Sequence, residues 1–269
     1  MKRVITAILF AGITTACLVA SEISAAIVIS ITSGFCAFEF YAMLRADAKL
    51  PNEFIGIISA ALYPLMYFIW GMNGVILLTT LFVLIILIWY VSYPHARITD
   101  VAVTLFGALY CGFMLMSIVA IREIVPGLWG GVMTFAIVLS VWANDALAFW
   151  VGSRLGKHKM APRISPAKTW EGFFAGMAAS IFVWCWIPAI PGVELSWAWA
   201  VIAGIVCGWI GILGDLLESR IKRSTGHKDS GNLLPGHGGF LDRCDSLITV
   251  APTAFLILYV AGLMPLSFI

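Results

Sequence analysis

Long apolar runs, each near the roughly 20 residues that carry an α-helix across a bilayer, alternate along this chain with short clusters of Pro, Gly and charge. The alternation predicts spans near 4–20, 22–45, 54–70, 74–92, 99–121, 128–152, 170–190, 196–219 and 240–263. The break at Ser21-Glu22 is the weakest of these. A single kinked helix there would leave eight spans and put both chain ends on one side of the membrane. The expected fold is therefore all-α, a polytopic membrane protein of about nine transmembrane helices.

Composition agrees: 61% of the residues are hydrophobic, only 11% are charged and the mean hydropathy is +1.00. A soluble domain of this length needs far more polar surface. The net charge of +2 says little, but its distribution fixes an orientation. With the N-terminus in the cytoplasm, 15 of the 16 Lys and Arg residues lie at or near the cytoplasmic side, and only Arg122 falls outside. Trp129, Trp184, Trp186, Trp197 and Trp199 are then expected to form an aromatic belt at the opposite interface.

The start of the chain, Met1-Lys2-Arg3 followed by an apolar run to Cys17, has the outline of a lipoprotein signal, but Thr14 stands where a bulky aliphatic is expected and more membrane follows. The six cysteines form no C-x-x-C pair and sit in apolar runs, as small buried hydrophobes do. No H-E-x-x-H spacing and no Walker A sequence occurs.

Charge divides the chain unevenly. Residues 1–140 hold six scattered acids, whereas 141–245 holds the other eight with ten basic residues. We read 1–140 as transmembrane scaffold helices and 141–269 as a catalytic transmembrane region. Two polar loops stand out in the latter. Residues 152–169 carry five cations, which by themselves suit a positive-inside anchor. Residues 219–245 carry Arg220, Lys222, Arg223, Lys228 and Arg243 among three aspartates, two histidines and five glycines. Glycine density of that kind lets backbone N–H groups approach a phosphate.

Around these loops the acids are patterned. Asp215, Glu218 and Lys222 are spaced i, i+3, i+7 and share one helix face, with an i,i+4 Glu218–Lys222 pair as the plain explanation for two of them. Asp242 and Asp245 again share a face at a helix start, where capping is one reading and oxygen ligation of a hard divalent cation the other. Asp145, beside Asn144, is an intramembrane acid: either a helix-packing partner or part of a site. Glu171 could be a helix N-terminal charge and nothing more. Cations, glycine loops and acids able to hold Mg²⁺ are the parts of phosphoryl or nucleotidyl transfer, and no covalent-nucleophile pattern accompanies them.

The run Ser219-x-x-Lys222-Arg223-x-x-x-x-Lys228-Asp229-x-Gly231-x-x-Leu234-Pro235-x-His237-Gly238-Gly239-Phe240-x-Asp242-Arg243-x-Asp245 resembles the signature of phosphatidate cytidylyltransferases. Cys244 departs from it, standing where that family usually has an aliphatic residue or Thr. Upstream, Asn144-Asp145, Gly156-Lys157-His158-Lys159, Ser165-Pro166-x-Lys168-Thr169-x-Glu171-Gly172 and Gly214-Asp215-x-x-Glu218-Ser219 are similar to the family's other shared segments. The likeness covers roughly 140–246.

The resemblance implies attack of the phosphate of phosphatidic acid on the α-phosphorus of CTP, giving CDP-diacylglycerol and pyrophosphate. It implies Asp215 and Asp242 as Mg²⁺ ligands with Asp245 close by, and Lys222, Arg223, Lys228 and Arg243 as phosphate-holding groups. Ser165 and Lys168 close the phosphate site from the other loop. Asp145, Glu171, Glu218, Ser219, Asp229, Gly238 and Gly239 complete the substrate set, and His237 serves either a phosphate or its own loop. The expected partners are CTP, phosphatidic acid and the bilayer of a cell inner membrane, with the site facing the cytoplasm, no nucleic acid, and a homodimer. The alternatives are a CTP-dependent polyprenol or dolichol kinase and an enzyme of archaeal ether lipids. A transporter stands further off, because a relay would spread its carboxylates through the bilayer depth.

Overall fold

The computed structural model describes residues 2–46, 50–231, 233 and 238–263. In chain order the helices are α1 (Lys2–Ala20), α2 (Glu22–Ala46), α3 (Glu53–Ser92), α4 (Ile98–Ala108), α5 (Met114–Arg122), α6 (Leu128–Leu155), α7 (Trp170–Trp184), α8 (Trp197–Ser224) and α9 (Leu241–Val260). A wide turn at 109–113 joins α4 to α5 within one apolar span. Seven helical segments among the described residues are long and apolar enough to cross a membrane. Their outward faces carry Leu, Ile and Phe side chains such as Leu77, Leu81, Ile88 and Phe182, as a lipid-facing skin requires.

Two reversals shape the first half. Ser21 stands between α1 and α2 and caps the latter, its hydroxyl accepting from the Ser24 N–H at 3.0 Å. Phe10 of α1 and Phe35 of α2 both pack on Phe240, with ring centroids 5.5 and 4.8 Å away, so the two helices double back upon each other. The weakest of the expected breaks is thus a true reversal. The second lies inside α3, whose 40 residues would run about 60 Å if straight, twice the hydrocarbon thickness. Gly71 breaks it with φ 58° and ψ −145°, a conformation open chiefly to glycine. Tyr63 and Thr79, each eight residues from Gly71, then share a hydrogen bond of 3.1 Å across the hairpin.

Arg122, the one cation on the wrong side of the charge count, is 1% exposed. Its Nε–H donates to the Leu18 carbonyl at 2.9 Å and its Nη1 lies 3.5 Å from Glu22. It staples the α1–α2 reversal to the end of α5, and its place follows from packing, not from topology. The expected aromatic belt needs one correction. Trp129, Trp186 and Trp197 are exposed and Trp199 is half-buried, but Trp184 is fully buried. The chain after α7 folds back over it, burying Ile187, Val193 and Leu195 alongside.

In the second half α6, α7, α8 and α9 pack in sequence through small residues. Gly176 of α7 lies against Asn144, Gly204 of α8 against the Ile181 backbone, and Gly214 of α8 against the Asp245 carbonyl, each too close for a Cβ. The basic segment expected as a loop contains a small antiparallel hairpin, β1 (Lys159–Ala161) and β2 (Ser165–Thr169), with Lys159 opposite Thr169 and Ala161 opposite Ser165. The apolar core runs through both halves, and α9 packs on α2 and α5 as well as on α8.

Candidate active site

Thr169 determines where the hairpin sits. It ends β2, caps α7 by accepting from the Gly172 N–H at 3.3 Å, and is buried where Gly152, Gly156 and Gly172 leave room for it. The preceding residue, Lys168, is thereby aimed at α8. Its Nζ lies 2.6 Å from Asp215 Oδ2 and 3.5 Å from the Ile212 carbonyl. The pair borders a cavity of about 490 Å³ lined by Asp145, Phe149, Lys159, Ser165, Lys168 and Asp215 among others. Apolar walls with a few converging polar groups are what a small-molecule site offers.

The two readings of the Asn144–Asp145 pair turn out to divide between the residues. Asn144 is buried and donates to the Gly208 carbonyl of α8 at 3.1 Å, a packing contact, while Asp145 faces the cavity.

A second cluster joins the end of α8 to the start of α9. Lys222 Nζ lies 2.5 Å from Glu218 on its own helix and 2.7 Å from Asp242 Oδ1 on the next. Glu218 is fully buried, so its charge depends on that lysine. The other Asp242 oxygen, Oδ2, accepts from the backbone N–H groups of Ser230 (3.0 Å) and Gly239 (2.8 Å), so Asp242 does cap the turn that opens α9. The other Asp215 oxygen, Oδ1, accepts from the Ser219 hydroxyl at 3.2 Å, one turn along α8. Asp245 accepts the Ser246 N–H at 2.7 Å and lies within electrostatic reach of Asp145, Asp215 and Glu218.

Arg223 is exposed and donates to the His227 carbonyl at 3.2 Å, and Lys228, Asp229 and Arg243 are exposed. Gly238 adopts φ 83°. Glu171 does not line the cavity. Its carboxylate takes the His158 ring at 2.7 Å and the His158 N–H, tying the hairpin to α7. His237 lies outside the described residues.

Sequence reasoning misses Glu39 of α2, which falls in the 1–140 scaffold. It is 2% exposed, and its Oε2 accepts from the Ser230 hydroxyl and the Leu241 N–H. The signal was available: a carboxylate in the middle of an apolar span is costly unless it has work to do.

Among the described residues no three His, Cys, Asp or Glu side chains converge into a ready-made metal cage. The donor chemistry nevertheless suits a hard cation. Asp145, Asp215, Glu218, Asp242 and Asp245 offer five carboxylates, while the ion pairs they make among the described residues come from two lysines, Lys168 and Lys222. A set of oxygen ligands of this kind, some buried and some open to the cavity, fits Mg²⁺, which takes one or two carboxylates plus substrate phosphates.

Residues 1–261 match the family model described as the cytidylyltransferase family. The chain is 28% identical over 262 residues to a phosphatidate cytidylyltransferase of Bacillus subtilis, covering 96% of this chain and 97% of the relative. Enzymes of the same name from Brucella abortus and Pseudomonas aeruginosa are 40% identical over 151 residues and 42% over 131. These two closer matches span about half of each relative, 54% and 48%.

Proposed function

The chain belongs to the cytidylyltransferase family, and on that premise we propose that it transfers the cytidylyl group of CTP to phosphatidic acid, forming CDP-diacylglycerol and pyrophosphate. An oxygen of the lipid phosphate forms a bond to the α-phosphorus of CTP, and the bond from that phosphorus to the bridging oxygen of pyrophosphate breaks. The lipid phosphate is already ionised at neutral pH, so no strong general base is needed. The reaction asks for two anionic substrates to be held in line and for their charge to be offset.

The observation that carries this reading is the Lys168–Asp215 contact, which joins the basic hairpin to the signature helix at the edge of the cavity. It supports a site with cations on two sides. Lys168 and Ser165 serve it from the hairpin, and Lys222, Arg223, Lys228 and Arg243 from the signature. Asp215, Asp242 and Asp245 are the proposed Mg²⁺ ligands. The bound ion would neutralise charge developing on the phosphates. We place the site at the cytoplasmic face, where CTP is available, in the plasma membrane of the cell.

The test is purified protein in detergent with radiolabelled CTP, Mg²⁺ and phosphatidic acid, following label into the lipid phase. Transfer of α-phosphate label to phosphatidic acid is expected. Transfer of γ-phosphate label to a polyprenol, with none to phosphatidic acid, would overturn the assignment in favour of a lipid kinase.

A further inference from the structure

We propose that Glu39 is a positioning residue of the transferase site, a carboxylate of the N-terminal half that sets the signature loop and the start of α9 against α8. The proposal rests on the reading of the site given above. Its basis is a continuous path of hydrogen bonds. Glu39 Oε2 accepts from Ser230 Oγ at 3.1 Å and from the Leu241 N–H at 3.0 Å. Ser230 is tied twice to Asp242, its N–H donating to Oδ2 at 3.0 Å and its hydroxyl accepting the Asp242 N–H at 3.3 Å. Asp242 in turn holds Lys222 at 2.7 Å. The path runs from α2 through the loop and α9 to α8, with Glu39 and Asp242 accepting at its two ends and the Ser230 hydroxyl relaying between them.

Elementary helix chemistry explains the need for this acceptor. The first N–H groups of a helix have no intrahelical partner, and Leu241, which opens α9, is fully buried. Phe240 precedes Leu241 and supplies no side-chain cap. An acid reaching over from another helix fills that role and gains from the positive end of the helix dipole. The loop must then descend closely onto the carboxylate. A Cβ at Gly231 or at Gly239 would overlap Glu39 in both cases, which gives these two signature glycines a packing reason independent of any phosphate. The Gly239 N–H is likewise already committed to Asp242.

Glu39 makes none of the contacts assigned to substrates. It acts through Ser230 and Asp242, so its removal should displace the signature without removing a member of it. Displacements near 1 Å typically cost about 10²-fold in rate. The expected result for Glu39→Ala is therefore a fall of about that size in kcat, with KM for CTP changed by less than about threefold. Glu39→Gln keeps an amide oxygen for both donors and should restore kcat to within about fivefold of the native protein.

A second readout does not depend on turnover. Cys244 is 2% exposed on the first turns of α9, and its rate of modification by N-ethylmaleimide, read by peptide mass spectrometry, reports whether that turn opens. Glu39→Ala should label Cys244 at least about tenfold faster and Glu39→Gln at the native rate. Ser230→Ala, which breaks the path without touching α2, should shift both readouts in the same direction, and it decides the matter if Glu39→Ala fails to fold. Native kcat and native labelling in Glu39→Ala, or a Glu39→Gln variant as impaired as Glu39→Ala, would overturn the proposal. If the native protein transfers no cytidylyl group, the assigned reaction fails, while the labelling rates still decide whether Glu39 positions α9.

Discussion

Replacing Lys168 by Ala separates a catalytic hairpin from one that merely anchors topology. Lys157, Lys159 and Lys168 all belong to the same basic segment, and a topological anchor would treat them alike. Their surroundings differ. Lys157 and Lys159 are exposed and make no ion pair among the described residues, although Lys159 borders the cavity, whereas the Lys168 side chain is 19% exposed with its Nζ 2.6 Å from Asp215, itself 31% exposed. Losing a partner of a fully buried pair costs ~3–5 kcal/mol, but with this much solvent on both groups the stability loss should be about 1 kcal/mol. The catalytic loss should be larger. Removing one preorganised charge-stabilising donor costs about 10²-fold or more, equivalent to ~2.7 kcal/mol of transition-state stabilisation. Initial rates over a matrix of CTP and phosphatidic acid concentrations give kcat/KM for Lys168→Ala, Lys157→Ala and Lys159→Ala, with thermal unfolding in the same detergent as the stability control. A loss of about 10²-fold confined to Lys168→Ala is expected. Similar mild losses in all three would refute the reasoning and return the hairpin to an anchoring role.

Asp215→Asn and Asp242→Asn should each reduce turnover by at least about 10²-fold. Asp215→Asn, which loses the same half-exposed ion pair with Lys168, should cost only about 1 kcal/mol of stability. Asp242→Asn should be less stable, since an amide cannot accept two backbone donors on one side and a lysine on the other; activity within about tenfold of native in either variant would remove that residue from the proposed metal site. Reporter fusions after Thr169 and after Lys228 should read cytoplasmic, and an external reading at either would sink both the orientation and the use of CTP. Arg122→Ala should lower stability by ~1–3 kcal/mol, chiefly by leaving the buried Leu18 carbonyl without its donor, since Glu22 is 39% exposed, with kcat in the surviving folded protein unchanged. An unaltered unfolding temperature would show that the staple is dispensable.

Much of the fold was legible because lipid demands it. Twenty-residue apolar runs and their punctuation are imposed by bilayer thickness, so the reversals at Ser21 and in the stretch around Gly71 could be read from one chain. The second half of the site was legible for a related reason, since charge concentrated in an apolar protein has to be explained. What stayed hidden depends on distances across the fold. The i,i+4 spacing gave Glu218–Lys222, but nothing in the spacing says that Lys222 also holds Asp242 twenty residues on. Glu39 has no acid or cation within a turn of it on α2 and lies 191 residues from Ser230, and that isolation disguises it as scaffold. The strands at Lys159–Ala161 and Ser165–Thr169 are too short, and too rich in Lys and Pro, to leave a periodic signature. Trp184 followed from composition to an interface, and the apolar residues that fold back over it reversed the inference.

The single-glycine reversal in α3 bears on how the protein meets its surroundings. Because the chain turns at Gly71 without a long polar loop, and the halves clasp through Tyr63 and Thr79, that stretch exposes only a short segment where it turns, Ile69 and Trp70 on one side of Gly71 and Asn73 on the other. A protease or antibody confined to that side would have only those few residues to reach between Glu53 and Ser92. During insertion, moreover, neither half has a hydrophilic tether to hold it at the surface while the other enters. The two should therefore cross the bilayer as a preformed pair, and a charged residue substituted for Gly71 should be felt first as a defect in assembly, before any in catalysis.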